Sequence, residues 1–271
     1  MGKPFLIARA TDKYLTPVNR IETIDNILKN YSVLWGQDVL FSSGRAAPNS
    51  YSVSTNEVDL KNKMNKLLDI FASGDKKGMA KKLFDQFLRK NSSITMYSNN
   101  DLDNAASNHS NIKDFMDLSL AAPNTEGTDP KKIRIHQALK NATWDITKVK
   151  VIDDLGVPAF NKGSKVWRTD DFDNGLGVMI NGIQYVFIFV DKYKYDDEKH
   201  QYDITLSFSF FDVFGLDDDD LQEFGAKSDS FGTSDAKIGI TAWWQLQHQF
   251  NYAPVITRAN VSKSFTVSTK E

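Results

Sequence analysis

Five aspartates crowd one short stretch of the chain. Asp212 sits in Phe211-Asp212-Val213-Phe214-Gly215-Leu216, and the run Asp217-Asp218-Asp219-Asp220 follows it directly. Carboxylates this close raise one another's pKa, which suits general acid and base work; they also suit a divalent cation such as magnesium or calcium. A core cannot hold such a cluster unless it is paired or metal-bound, so the turn belongs at an edge or in a cleft. Asp212 and Asp217 are the better candidates, as metal ligands or to activate water, because apolar neighbours anchor each of them. The same turn also reads as a solvated corner whose aspartates cap the next helix.

Other candidates lie downstream. His248 would assist as a base if the acidic turn came within reach, although a lone histidine on a helix is also an ordinary packed residue. Arg258 is the candidate to hold a phosphate, with Tyr252 and Trp244 as further substrate contacts; the pair Trp243-Trp244 stacks on a base or sugar, or else belongs to the core. Asp191, Tyr193 and His200 form a second candidate site in the polar stretch Asp191–His200, which otherwise reads as the tip of a hairpin. Asp171-Phe172-Asp173-Asn174-Gly175 begins like a calcium loop, but its glycine comes one position early and the terminal glutamate is missing. The sequence has no phosphate-binding glycine loop, no HExxH and no GxSxG, and no organic cofactor is expected.

The elements that must position these groups are legible from periodicity. Tyr202, Ile204, Leu206, Phe208 and Phe210 alternate with polar residues, as in a strand with one buried face, and the pattern predicts an antiparallel sheet. Ile183–Val190 and Val255–Val267 read as two more strands. Ile240, Trp243, Leu246 and Phe250 recur at helical spacing, and Pro254 closes that helix. Helices are expected over Ile21–Tyr31, Leu60–Phe71 and Met79–Leu88, then after an Asn or Asp cap near Asp101, over Ile112–Leu120 and around Ile133–Leu139. Ser42–Ser50 reads as a loop, and Pro123–Pro130 is the strongest linker signal. These features predict an α+β fold: a helical N-terminal region, 1–125, packed on a C-terminal antiparallel sheet or half-barrel with one Trp-rich helix, 126–271.

Composition bounds the function classes. A chain of 271 residues buries a core without staples, and its formal net charge of −2 supplies no global field for nucleic acid or anionic membrane. The absence of cysteine removes thiol catalysis, thiolate metal sites and disulfides together. No apolar run is long enough for a transmembrane helix. The short run after Met1 is too brief for a signal peptide, so the protein is expected to be made in the cytoplasm without one.

Several of these motifs, taken in order, resemble the bacterial family called domain of unknown function 3289. They are Leu83-Phe84-Asp85-Gln86-Phe87, Tyr97-Ser98-Asn99, Asp101-Leu102-Asp103-Asn104-Ala105, Asn174-Gly175-Leu176-Gly177, Phe211–Asp217, Ala242–Gln247 and Tyr252–Thr257. Val213 stands where that family commonly carries a histidine. The resemblance implies a chain encoded near secretion and toxin loci, delivered by a secretion system or released into the periplasm of a target cell, with an immunity protein and a delivery component as partners. The C-terminal half is also similar to colicin M-type bacteriocins, which cleave a lipid-linked peptidoglycan precursor at its pyrophosphate with magnesium. Asp191, Lys192, Tyr193 and His200 match their motif, while Lys194 replaces its aspartate and Gln201 its arginine; a second register puts Asp212 at that aspartate instead. The resemblances imply two alternative functions. One is an antibacterial toxin hydrolysing phosphate or pyrophosphate esters. The other is a non-enzymatic binding module, cargo or structural part of a secretion or contractile injection system.

Overall fold

A computed structural model describes residues 4–11, 51–127, 132–153, 155–160, 175–227 and 234–270. The helix expected over Ile21–Tyr31, the loop Ser42–Ser50 and the stretch Asp171–Asn174 lie outside them.

The fold is α+β. Among the described residues eight α-helices accompany a five-stranded sheet of order β1-β3-β4-β5-β2. The strands are β1 (Phe5–Thr11), β2 (Thr95–Tyr97), β3 (Tyr185–Asp196), β4 (Gln201–Phe214) and β5 (Val255–Ser268). The first four neighbours in that order pair antiparallel, as the alternation in Tyr202–Phe210 predicts. At the far edge β2 pairs parallel to β5, so the sheet is mixed. A hairpin cannot deliver a parallel neighbour; helices on either side of β2 carry the chain there instead. The N-terminal region is also not purely helical, since β1 belongs to it.

The two faces of the sheet are separately buried. Tyr202, Ile204, Leu206, Phe208, Phe210 and Phe214 of β4 enter the main core, whereas Phe211 joins Leu6, Tyr185, Phe187 and Ile256 in a smaller cluster on the opposite face. Against the main face pack α1 (Glu57–Phe71), α2 (Lys77–Leu88), α3 (Asn100–Asn108), α4 (Ser110–Leu120) and α5 (Ile135–Asn141). The short α6 (Leu176–Met179) precedes β3, while α7 (Asp218–Phe224) and α8 (Asp235–His248) lie between β4 and β5. One core contains Leu60, Phe84 and Leu102 together with Phe208, Trp243 and Val261, so residues from both sides of position 125 contribute to it.

The Trp-rich helix α8 is buried far beyond the single stripe its spacing predicts. Every residue from Gly239 to His248 is buried. Its contact with α1 is close enough that a Cβ on Gly239 would stand 2.6 Å from Leu67 Cδ2, so only glycine fits. On its core side an aromatic knot forms: the Trp243 ring lies 4.2 Å from Phe214 and 6.2 Å from both Phe84 and Phe87, and Phe87 meets Tyr252 at 5.6 Å. Contacts of this kind add about 1 kcal/mol each beyond the area they bury.

Candidate functional site

The acidic corner is built where β4 ends. Phe214 dives into the core, and the chain turns at Gly215 into the first turn of α7. A Cβ on Gly215 would lie 3.0 Å from Pro254 Cβ and 3.1 Å from Gln247 Oε1, which is how the corner approaches α8 so closely. The next residue is clamped. Leu216 N–H donates to Gln247 Oε1 at 2.9 Å, and Leu216 C=O accepts from Gln247 Nε2 at 3.0 Å and from His248 Nε2 at 2.8 Å. Gln245, two residues earlier, holds the chain entering α1 in the same way, accepting from Val53 N–H at 2.8 Å and donating to Ser54 C=O at 3.0 Å.

The carboxylates are likewise engaged with backbone. Asp212 Oδ2 accepts from Asn181 N–H at 2.9 Å and Oδ1 from Val213 N–H at 2.8 Å, which fixes the turn before β3 against the end of β4. Asp217 is the N-cap of α7 in a reciprocal capping box: Asp217 Oδ1 accepts from Asp220 N–H at 2.9 Å, and Asp220 Oδ2 from Asp217 N–H at 3.1 Å. Asp218 accepts from Trp244 Nε1–H at 3.2 Å. Asp218, Asp219 and Asp220 occupy the first turn of α7, where the helix dipole favours negative charge. The capping reading of the run thus describes its geometry.

The remaining predicted residues are distributed around this corner. His248 reaches it through Leu216 and packs on the Trp244 ring at 4.7 Å. Tyr252 is buried and donates its hydroxyl to Glu57 on α1; burial and that carboxylate push the phenol pKa up, while the same bond and Lys90 hold Glu57 below its ordinary value. Arg258 does not join Asp212. The register pairs Asp212 with Thr257 and Phe211 with Arg258, and since side chains alternate along a strand, the guanidinium lies on the opposite face, over the Phe211 ring at 5.6 Å and bonded to Asn260 Oδ1 at 2.9 Å.

The second constellation is also dispersed. Asp191 sits at a register shift in β3 and accepts from Ser207 on β4. Tyr193 faces the main core, where its hydroxyl donates to Trp144 C=O at 2.8 Å and burial pushes its pKa up to about 12. His200 is exposed in the β3–β4 turn with φ 50°.

Cation binding asks for several oxygen or imidazole ligands on one point. Among the described residues no three His, Asp or Glu side chains gather in that way, and Asp212 and Asp217 point oxygens at N–H donors.

What periodicity did not reveal is a cleft of about 700 Å³. It lies beyond β1, two strands from β4, and is lined among others by Lys132, Ile133, Thr143, Lys148, Lys150 and Val151. Its wall at the end of α5 is an unusual helix terminus. Thr143 N–H bonds to Lys140 C=O and Trp144 N–H to Leu139 C=O, a Schellman ending, yet φ is 53° at Thr143, where glycine is the usual residue. Trp144, at φ 62°, is held in place by stacking on Tyr195 and Tyr202. The only local signal for this region was the Lys-rich character of Lys131-Lys132 and Lys148-Val149-Lys150 in the sequence.

No protein-family model matches the chain, and neither does any curated protein or solved structure. Among the described residues no helix is long and apolar enough to cross a membrane.

Proposed function

We propose that this chain is a non-enzymatic binding module, a cargo or structural component of a bacterial secretion or contractile injection system. The bacterial setting comes from the motif resemblance; the choice of binding over hydrolysis comes from geometry. The observation that carries it is that Asp212, Asp217 and His248 all direct side-chain atoms at main-chain groups of the β4–α7 corner and its neighbours. A hydrolase of phosphate esters needs those groups turned toward substrate, with the basic side chain on the same side as the carboxylates. Here Arg258 is on the other face of the sheet. The open cleft beside β1, lined by Lys132, Lys148 and Lys150, offers a concave surface for a ligand.

Export of the wild-type chain to the periplasm of a host bacterium separates the two functions. A binding module leaves growth unchanged. Killing by the wild type that disappears in Asp212→Asn, with the melting temperature of the purified variant unaltered, would overturn the proposal in favour of the toxin.

A further inference from the structure

Beside the edge strand β1 the chain around Val151 and Ile152 runs extended. Beyond β1 the extended segment around Ile152 adds a parallel bridge, with Arg9 N–H donating to Ile152 C=O at 2.9 Å and Ile152 N–H donating to Ile7 C=O at 2.9 Å. Backbone groups of neighbouring residues in a strand point to opposite sides. The N–H and C=O of Val151, which lines the cleft, therefore face away from β1, and among the described residues neither meets a hydrogen-bond partner. An open strand edge of this kind is a template for another strand.

The cleft adds a chemistry to that template. Lys132, Lys148 and Lys150 line it against one carboxylate, Asp153, which is already bonded to Arg9 at 2.5 Å. Lys148 is balanced by Asp145 at 3.2 Å, but Lys150 has no acidic partner among the described residues. Ile133, also at the cleft, is 56% exposed, one of two large apolar side chains so exposed among the described residues. Strand addition takes its affinity from main-chain bonds and its specificity from the side chains of alternate residues. An occupant that alternates acidic and β-branched residues satisfies all three features: the carboxylates meet the lysines, the apolar side chains meet Ile133, and the main chain meets Val151.

We propose that the cleft binds an extended acidic segment of a partner protein, which docks as an added strand outside Val151. This inference rests on the binding-module reading and names the partner's chemistry. The test is fluorescence anisotropy with a short labelled peptide alternating Glu and Val, compared with the same peptide carrying Lys in place of Glu. The acidic peptide should bind at least about tenfold more tightly, more weakly as salt rises, and Lys132→Glu with Lys150→Glu should reduce its affinity by about tenfold. Val151→Pro removes the N–H that faces away from β1 and should abolish binding while thermal melting reports an intact fold. Equal affinity for the two peptides, no binding at millimolar concentration, or acidic-peptide binding that is indifferent to Val151→Pro would overturn the inference. So would an oligonucleotide bound as tightly as the acidic peptide. Failure here with growth unaffected by the exported chain removes only the peptide assignment, whereas killing that depends on Asp212 removes the binding-module reading itself.

Discussion

Aspartate 217 shows how one residue type serves two chemistries. In sequence it belongs to an acidic run that is equally consistent with a cation site and a helix cap; in the fold it accepts Asp220 N–H and is paired reciprocally. The three-residue spacing of a capping box was present locally, with Asp220 in the place that Glu or Gln usually takes. His248 gave no such signal, because its partner carbonyl lies 32 residues earlier and is brought there by tertiary packing alone. His136 makes a measurable prediction. It is buried against Tyr202, with Nδ1 and the hydroxyl 2.8 Å apart, and Trp144 and Lys140 are its other neighbours. Burial, with a smaller contribution from Lys140, lowers its pKa below the ordinary 6.5. Below that ordinary value the unfolded chain takes up a proton that the folded chain refuses, so stability is full above it and falls as the pH drops toward the folded pKa. Urea unfolding at a series of pH values should show this decline, and His136→Gln should flatten it between neutral pH and pH ~5.

The elements were legible in proportion to the length of their periodic signal. Tyr202–Phe210 and Val255–Val267 alternate over many residues and became β4 and β5; Leu60–Phe71 and Met79–Leu88 became α1 and α2. β1 was not legible because residues 6–10 are buried on both faces and carry no alternation, and β2 was not because three residues hold no period. For α8 the helix was predicted and its surroundings were not: Gln245, Gln247 and His248 look like a polar face, yet all are buried and latched to loops. Gln247→Ala would leave the half-buried Leu216 N–H without its acceptor, whereas Leu216 C=O keeps His248. We expect a loss of about 2 kcal/mol in chemical denaturation, larger than for a solvent-facing glutamine on the same scale.

At the scale of the whole molecule, polar residues serve two regions of the fold. The corner at the end of β4 holds α7, α8 and the β3 entry together through carboxylates and amides aimed at backbone. The edge beyond β1 carries lysines, an exposed isoleucine and, among the described residues, an unpaired N–H and C=O at Val151. The second site escaped the sequence because it is assembled from the end of α5 and a segment only briefly extended, with no motif of its own. Amide hydrogen exchange with and without the Glu–Val peptide weighs both halves of this account together. The peptide should slow exchange at Val151 and its immediate neighbours while leaving Asp212 to Asp220 unchanged; slowing confined to Asp212–Asp220, with Val151 unaffected, would contradict it.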